Sequence, residues 1–562
     1  HAFKDHFDYE STSGGYPVFR NKNAYSDSKY LSANAQNARV TEHRKFGRQG
    51  RSLFTSIGAK YYLTDNTSIV GNIVLNGGKD NDTNTNNIQR FDFQGNTNEL
   101  TQRIEAENEK EQRLQYTLDY LNNFNGNGRK LSINTQYSTE VAHALNTITE
   151  TDRRLNTLND LEEVLKDQDE TQALLQIDYV HPVGENIQYE GGYRGNYRTI
   201  FNGFYLAERI DFENEGPLIP DTGLNNSFNY NEFINAAYFQ YGQKFNKISL
   251  LAGLRYEDTF IEIIQQTATA ENKRKYGNFF PTVNIGYEFI DGENITFGYN
   301  RRIRRPRGRS LNPFPSRSSE SNLYSGNVSL NPVITDAVDI GYLKRWSTLT
   351  VSTSLYFNKS NDNWEWIQEN TGMLTDNNDP ITKKFPINLS TEERIGLELT
   401  LNYKPHKNWN INSDFNLFNV TSEGDYTSTT TNNTQNFDFN NTAFFIRLNQ
   451  KITLPGKTDV QINMNYRGPT QNAQTKSKSV FSMSFAASKD LFNERASLSL
   501  NLSDLFNSSI SRRNTLLPDF LEQYFEFQWR EPQLNLSFVY RFNQKKQLGE
   551  QDRNNSGGES LE

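Results

Sequence analysis

The densest group of side chains that could do chemistry is a run of arginines at positions 301–309. Six of these nine residues are arginine: Arg301, Arg302, Arg304, Arg305, Arg307 and Arg309. Guanidinium groups bind carboxylates and phosphates through paired hydrogen bonds, so the run is suited to anions. If the segment before it is a strand, alternation places Asn300, Arg302 and Arg304 on one face. We predict that these three contact an anionic substrate or fix another part of the protein. The simpler interpretation is that they form ion pairs with residues of neighbouring strands.

Two other motifs offer weaker chemistry. Asp80, Asp82 and Asn84 have the spacing of the first half of a calcium-binding loop, but the glycine and glutamate that complete such a loop are missing. A solvated loop is the simpler interpretation, and no metal site is predicted. Trp364 and Trp366 stand at the start of a long polar segment, where they would stack on a ligand such as a sugar or lie at a lipid interface.

Catalysis has little support in the sequence. The chain has 562 residues, no cysteine and 6 scattered histidines. Zinc and thiol sites need clustered histidine, cysteine or carboxylate ligands, so we predict no catalytic site and no cofactor. The 59 basic and 67 acidic residues are interspersed, which argues against a nucleic-acid partner.

The elements that must position these residues are predicted strands with one apolar face. The segment 533–542 shows the pattern clearly, and its apolar face consists of Leu534, Leu536, Phe538, Tyr540 and Phe542. We predict that this segment ends the final, barrel-closing strand, which covers 523–542 with a kink near Pro532. About 19 such segments follow one another from residue 53 onward, and most have the roughly 9–11 residues that a tilted strand needs to cross a bilayer. Mean hydropathy is -0.79, and no apolar run is long enough for a transmembrane helix.

The connections between these segments alternate between tight turns and long polar stretches such as 77–112 and 140–171. That alternation is typical of an antiparallel up-and-down transmembrane β-barrel with short periplasmic turns and long extracellular loops. Residues 1–52 are predicted to be an extracellular loop with the remnant of early strands, 53–542 the barrel, and 543–562 a disordered periplasmic tail. Bacterial barrels have even strand numbers, so at least one strand is expected before residue 53.

Several motifs in order resemble the central signature of TonB-dependent receptors, and most closely the outer-membrane β-barrel subfamily typical of Bacteroidota. They are Tyr-Asn-Arg-Arg-Ile-Arg-Arg-Pro at 299–306, Leu-Asn-Pro-Phe at 311–314, Gly-Asn-Val-Ser-Leu-Asn-Pro at 326–332 and Tyr-Arg-Phe at 540–542. Val328 and Val333 depart from the usual motif. The resemblance implies an all-β barrel of about 22 strands when complete, embedded in outer-membrane lipid. It also implies a plug domain, not present in this chain, that contacts the TonB complex.

Three functions are compatible with this resemblance. The first is energised uptake of a scarce or large substrate such as an iron chelate, cobalamin, a glycan or a peptide. The second is a structural subunit of an outer-membrane complex, with a surface lipoprotein or another outer-membrane protein as partner. The third is a plugless diffusion channel.

Overall fold

The computed structural model describes most of the chain as strands. The described residues are 7–31, 37–124, 128–212, 215–222, 225–265, 271–307, 310–315, 319, 321–375, 378–389, 391–428 and 432–541. These ranges contain no α-helix, and hence none that could cross a membrane. Phe542 and the tail predicted at 543–562 lie outside the described residues.

In chain order, the strands are β1 (Phe7–Tyr30), β2 (Arg39–Thr64), β3 (Thr67–Phe91), β4 (Thr97–Phe124), β5 (Arg129–Asp152), β6 (Thr157–Val183), β7 (Ile187–Arg209), β8 (Leu218–Pro220), β9 (Asn226–Phe245), β10 (Ile248–Gln265), β11 (Glu271–Ile290), β12 (Glu293–Arg304), β13 (Asn322–Tyr324), β14 (Val333–Arg345), β15 (Leu349–Asn361), β16 (Trp364–Leu374), β17 (Pro380–Asn388), β18 (Thr391–His406), β19 (Trp409–Glu423), β20 (Asp425–Thr427), β21 (Thr434–Asn436), β22 (Phe439–Leu454), β23 (Thr458–Arg467), β24 (Thr470–Gln471), β25 (Thr475–Ser477), β26 (Val480–Leu491), β27 (Ala496–Ser503), β28 (Ile510–Leu517), β29 (Leu521–Gln528) and β30 (Gln533–Tyr540).

A single antiparallel sheet contains 25 of these strands. In this sheet β8 is a short addition beside β7, and four successive pairs each form one interrupted strand: β23 with β24, β25 with β26, β27 with β28, and β29 with β30. The described residues therefore form twenty barrel strands that run up and down in chain order. β1 pairs with β2 and, over residues 23–30, with β29, so the first barrel strand meets the last.

The prediction of strands from residue 53 onward is confirmed. Each of the nineteen predicted segments coincides with a barrel strand, and β1 supplies the strand expected before residue 53. The final strand is interrupted at 529–532, close to the predicted kink at Pro532. β30 carries the predicted apolar face, although the pairing with β1 is made by β29. The number of about 22 strands for a complete barrel stays a prediction.

The prediction that residues 1–52, 77–112 and 140–171 are mainly loops is wrong. β1 and β2 occupy most of the first range, and β3 to β6 continue through the other two. β3, for example, pairs with both neighbours over its 25 residues. Beyond the membrane no lipid requires apolar residues on the outer face, and the buried positions of β3 there include the polar residues Asn86 and Arg90, so the apolar alternation disappears while main-chain pairing continues. In β2 to β6, hydropathy therefore marked only the part of each strand next to the short turns.

The barrel wall has very different heights on its two sides. β1 to β7, here called the tall wall, have 23 to 28 residues each, whereas β14, β15, β18, β19 and β22 have 13 to 16. A tilted strand crosses a bilayer with about 9–11 residues. The tall wall therefore extends well beyond the membrane on the side of the long connections.

An apolar row marks the surface that faces lipid. Six residues lie directly opposite one another on adjacent strands and are 39 to 52% exposed: Ile285, Phe297, Ile340, Leu355, Leu397 and Leu417. The alternate positions on β15 and β18, such as Ser354 and Glu398, face the lumen and are polar. A contiguous exposed apolar band of this kind is typical of a membrane-spanning barrel.

The short turns use residues that tolerate a left-handed backbone. Gly292, between β11 and β12, has φ of 77°, and a Cβ there would lie 3.3 Å from the Cβ of Arg345. Asn246, between β9 and β10, has φ of 47°. These positions favour glycine and asparagine, as the predicted turns required.

Candidate functional site in the outer mouth of the barrel

Two long connections fold into the lumen instead of projecting away from it. β13, from the connection between β12 and β14, joins the β16–β17 hairpin, from the connection between β15 and β18. We call this three-stranded unit the mouth sheet. One of its faces is covered by a small apolar core made by Ile367, Phe385, Ile387, Leu389 and Phe437.

The tip of the β16–β17 hairpin is held at the tall wall by a buried ion pair. The Oδ2 atom of Asp379 lies 2.5 Å from the Nε atom of Arg90 on β3, and the two side chains are 1% and 2% exposed. Asn37 donates a hydrogen bond of 2.8 Å to the other oxygen of Asp379. β3 and β15 are the third and thirteenth of the twenty barrel strands, so the hairpin reaches the opposite wall.

A second contact ties β13 and the residues before it to the second and the last barrel strands. Glu42 on β2 accepts hydrogen bonds from Ser319 (3.2 Å) and Asn322 (3.4 Å). Gln523 on β29 donates a hydrogen bond of 3.2 Å to Asn322. Glu42 and Ser319 are buried, so these contacts exclude water from the joint between the mouth sheet and the wall.

A third, mainly apolar contact joins the segment 310–330 to the wall made by β7, β9, β10 and β11. Leu311 and Leu330 are buried in a cluster with Ile200, Phe228, Tyr230, Ile261 and Ile263. Arg274 on β11 donates hydrogen bonds to the carbonyl oxygens of Val328 (2.7 Å) and Leu330 (2.6 Å). The mouth sheet and its flanking segment are thus attached to three separate parts of the barrel wall.

A cavity of about 610 Å³ lies between the mouth sheet and the wall formed by β18, β19, β22, β24, β25 and β28. Its apolar surface includes Tyr324, Trp366, Phe418, Val420 and Phe439, and its charged groups are Glu365, Lys384, Glu392, Arg394 and Arg513. A concave site with aromatic walls and a few convergent charges is typical of small-molecule binding sites.

The charges in this cavity are incompletely paired. Glu392 interacts with Arg394 at 3.3 Å, and Asn472 donates a hydrogen bond of 3.2 Å to Glu365. Lys384 and Arg513 contact the rings of Tyr324 and Phe525, but neither makes an ion pair with a carboxylate in the part of the chain that the structure describes. The buried Nε atom of Arg513 has no hydrogen-bond partner among those residues.

Burial also shifts the protonation of two groups in the mouth sheet. Burial, with a smaller contribution from Glu392, raises the pKa of Glu365 to about 7. Burial and the positive charge of Arg513 lower the pKa of Lys384 to about 8. Both groups therefore change charge near neutral pH, and the cavity becomes more negative as pH rises.

The sequence of the barrel agrees with this architecture. A family model described as "Outer membrane protein beta-barrel family" matches residues 122–540. The chain belongs to this family. Outer-membrane barrels have short periplasmic turns and long extracellular loops, so the mouth sheet lies at the extracellular end. The protein is therefore an all-β protein of the bacterial outer membrane, and the exposed apolar row contacts lipid.

Similar solved structures include one with a TM-score above 0.5, which supports the barrel assignment. The copper transporter OprC has a TM-score of 0.51 and 12% identity, with 91% of this chain and 80% of that chain covered. The siderophore receptor PirA from Pseudomonas aeruginosa has a TM-score of 0.46 and 10% identity, with 91% and 81% covered. No curated protein sequence matches the chain significantly. At these identities the likeness to solved structures concerns the fold alone.

The structure of this outer-membrane barrel brings some of the predicted site residues together. Arg304 lies over the ring of Trp364 at 4.6 Å and donates a hydrogen bond to Asn363 (2.9 Å). Trp364 packs against the inner apolar cluster and Trp366 lines the cavity, so the interpretation of these tryptophans as lipid-interface residues is wrong. A role of Arg304, Trp364 and Trp366 in contacting substrate or a plug stays a prediction.

Asn300 and Arg302 lie on the same face of β12, opposite Ala337 and Thr335 on β14. Neither of them lines the cavity. A role of Asn300 and Arg302 in contacting substrate or a plug stays a prediction.

The calcium-loop motif is part of a strand. Asp80, Asp82 and Asn84 lie on β3, whose extended geometry separates alternate side chains along the wall. Arg48 forms ion pairs with Asp80 and with Asp82, whose Oδ1 atom lies 3.6 Å from the Nε atom of Arg48. Asn84 donates a hydrogen bond to Glu105. The described residues contain no group of three or more acidic, histidine or cysteine side chains arranged for a metal ion.

The residues that build the cavity were missed by sequence reasoning. Lys384 and Arg513 are far apart in the chain and belong to no motif. Asp379 stands in a polar stretch that resembles any solvated loop. A detectable signal was the alternation Ile-Thr-Lys-Lys-Phe-Pro-Ile at 381–387, which predicts a short strand within the loop.

Proposed function

We propose that the protein is the barrel of a TonB-dependent receptor, which captures a scarce or large solute at its extracellular mouth for energised uptake. The mouth sheet is the observation that carries this proposal. It is attached to three parts of the wall and lies across the route that a solute would take into the lumen. A diffusion channel requires a continuous water-filled path, so this arrangement favours a receptor over an open pore.

In this proposal, energy reaches the barrel through a plug domain that contacts the TonB complex. The plug is not among the 562 residues and would be supplied by a preceding segment. An iron chelate, cobalamin, a glycan and a peptide are all candidates for the solute. The cavity between the mouth sheet and the wall would be its first binding place, and movement of the mouth sheet would then admit it to the lumen.

Comparison of solute depletion tests the proposed uptake. Cells with and without the full-length gene are grown in the same complex medium, and the solutes lost from the medium are compared by mass spectrometry. We expect a class of solutes that is removed only by cells with the gene, and only while the proton-motive force is intact. Removal that continues after a protonophore is added would indicate diffusion, and identical depletion by both strains would contradict transport.

The tall wall favours a second function, the binding of a surface protein in an outer-membrane complex. Leu145, Leu165 and Tyr205 lie directly opposite one another on β5, β6 and β7 and are 40 to 45% exposed. A photocrosslinking residue at position 165 tests this function in intact cells. A stoichiometric protein adduct together with unchanged solute depletion would favour the structural role, whereas adducts with lipid alone would oppose it.

A further inference from the structure

We infer that the cavity beneath the mouth sheet selects an organic anion, whose carboxylate or phosphate lies between Lys384 and Arg513 and whose planar apolar part packs against Trp366 and Phe418. The assignment rests on the proposed receptor function, because it takes the cavity as the place of substrate capture. The ligand class is defined by its anionic group and its planar apolar part, whatever the size or metal content of the whole solute.

One side of the cavity is cationic. Lys384 on β17 and Arg513 on β28 line the same two adjoining cavities, one of about 610 Å³ and one of about 80 Å³. They come from the mouth sheet and from the barrel wall, and both line the space between these two parts of the protein. Neither makes an ion pair with a described carboxylate, and the Nε–H group of Arg513 is a buried donor with no described acceptor. The other N–H groups of Arg513 likewise have no described acceptor, so the guanidinium is available to pair with a bound anion.

The carboxylates of the cavity do not neutralise these two cations. Glu392 accepts a hydrogen bond from Asn363 (2.7 Å) and interacts with Arg394. Glu365 accepts a hydrogen bond from Asn472, and its raised pKa keeps a large fraction of it uncharged at neutral pH. A ligand anion therefore finds two cations with little competition from the protein.

Another side of the cavity is aromatic. Trp366, Phe418 and Phe439 line the cavity on the mouth sheet, β19 and β22 respectively. Arg394 lies over the ring of Phe418 at 5.0 Å, so one face of that ring is already occupied by a cation. Aromatic walls next to unpaired cations suit a ligand with a flat apolar body and an anionic end.

Equilibrium dialysis of the purified chain in lipid nanodiscs tests the assignment, with empty nanodiscs as the reference for partitioning. The ligands are 2-naphthoate, 2-naphthyl phosphate and the neutral 2-naphthamide. We expect at least one of the two anions to bind at least tenfold more tightly than the amide, and the better anion identifies the favoured charged group. Equal affinity for all three, or no binding of either anion at millimolar concentration, would overturn the assignment.

Variants separate the two cations from general electrostatics. Lys384→Gln and Arg513→Gln should each weaken binding of the anion at least tenfold, and the double variant should lose the preference over the amide. Arg513→Lys should retain part of it. Lys476→Gln is the matched control. Lys476 is exposed and lies on the face of β25 opposite to that of its neighbours Thr475 and Ser477, which line the cavity. Heat-modifiable migration on gels confirms folding, and an anion preference that survives in the folded double variant would contradict the assignment.

The same measurement made at several pH values gives an independent prediction. Lys384 loses its proton as pH rises through about 8, and Glu365 gains a negative charge as pH rises through about 7. Both changes disfavour an anion, so affinity for 2-naphthoate should fall at least tenfold between pH 6 and pH 9. The other charged groups that face these two are Arg44, Arg304, Glu392, Arg394 and Arg513. Affinity that is constant or rises over this range would contradict the prediction, and Lys384→Gln should flatten the profile.

The binding test and the uptake test fail separately. Dialysis needs neither a plug nor an energised membrane. Selective binding without energised uptake would leave the cavity assignment intact and remove the proposed transport. Energised uptake of a neutral solute, with no anion preference in dialysis, would support the proposed transport and remove the cavity assignment.

Discussion

An Asp379→Asn variant is expected to conduct ions several-fold better than the parent chain in planar lipid bilayers. Asp379 is the buried partner of Arg90 on the opposite wall, at 2.5 Å. Without the carboxylate of Asp379, Arg90 loses this partner and keeps the more distant Glu99, at 3.3 Å. Breaking a buried ion pair from one side costs on the order of 3 kcal/mol, which would detach the hairpin tip from the wall and open the mouth.

The matched control for this variant is Asp425→Asn. Asp425 is exposed in the β20–β21 hairpin and receives a hydrogen bond from Asn436, so its loss should leave the conductance unchanged. Arg90→Gln should act in the same direction as Asp379→Asn. The parent chain could instead show a high conductance that neither Asp379→Asn nor Arg90→Gln alters. That result would show that the mouth sheet does not restrict the lumen.

A Leu355→Arg variant is expected to assemble poorly or to lose stability in the membrane. Leu355 is 52% exposed within the apolar row and lies between Ile340 and Leu397 on the adjacent strands. An arginine on the lipid face of a barrel costs about 2–4 kcal/mol near the bilayer midplane. The difference in stability between the variant and the parent chain is measured by urea titration in lipid vesicles, with the loss of heat-modifiable migration on gels as the readout of unfolding.

Ser354→Arg provides the control, because Ser354 is the preceding residue on β15 and faces the lumen beside Glu398. The lumen is aqueous, so this arginine should change stability by less than about 1 kcal/mol. If both arginines were tolerated equally, or if the lumen variant were the more damaging, the assignment of the two faces would be wrong.

Alternation predicted the barrel well because the membrane demands it. Lipid-facing residues such as Ile340 and Leu355 must be apolar, their neighbours such as Ser354 are polar, and the period of two is therefore visible in the sequence. The motifs around 299–332 indicated the family for a different reason, since they resemble a known signature. The upper parts of β1 to β7 lacked this signal because no lipid covers their outer face and many of the residues buried on the inner face, such as Arg90, Arg103 and Glu150, are polar.

The site could not be predicted in the same way, since it depends on contacts between distant segments. Lys384 and Arg513 meet only when the β16–β17 hairpin folds back into the lumen. Asp379 acquires its role from Arg90, which is 289 residues away in the chain. The arginine run at 301–309 was a visible motif, yet Arg304 supports Trp364 in the structure rather than lining the cavity.

Intact mass and N-terminal sequencing of the native protein from outer membranes test directly whether the barrel works with a plug. A TonB-dependent receptor needs a plug, so we expect a mature chain that is about 150–250 residues longer than this one and begins with a separate small domain. A native protein whose mature N-terminus is His1 would contradict the receptor function, because no plug would then link the barrel to TonB.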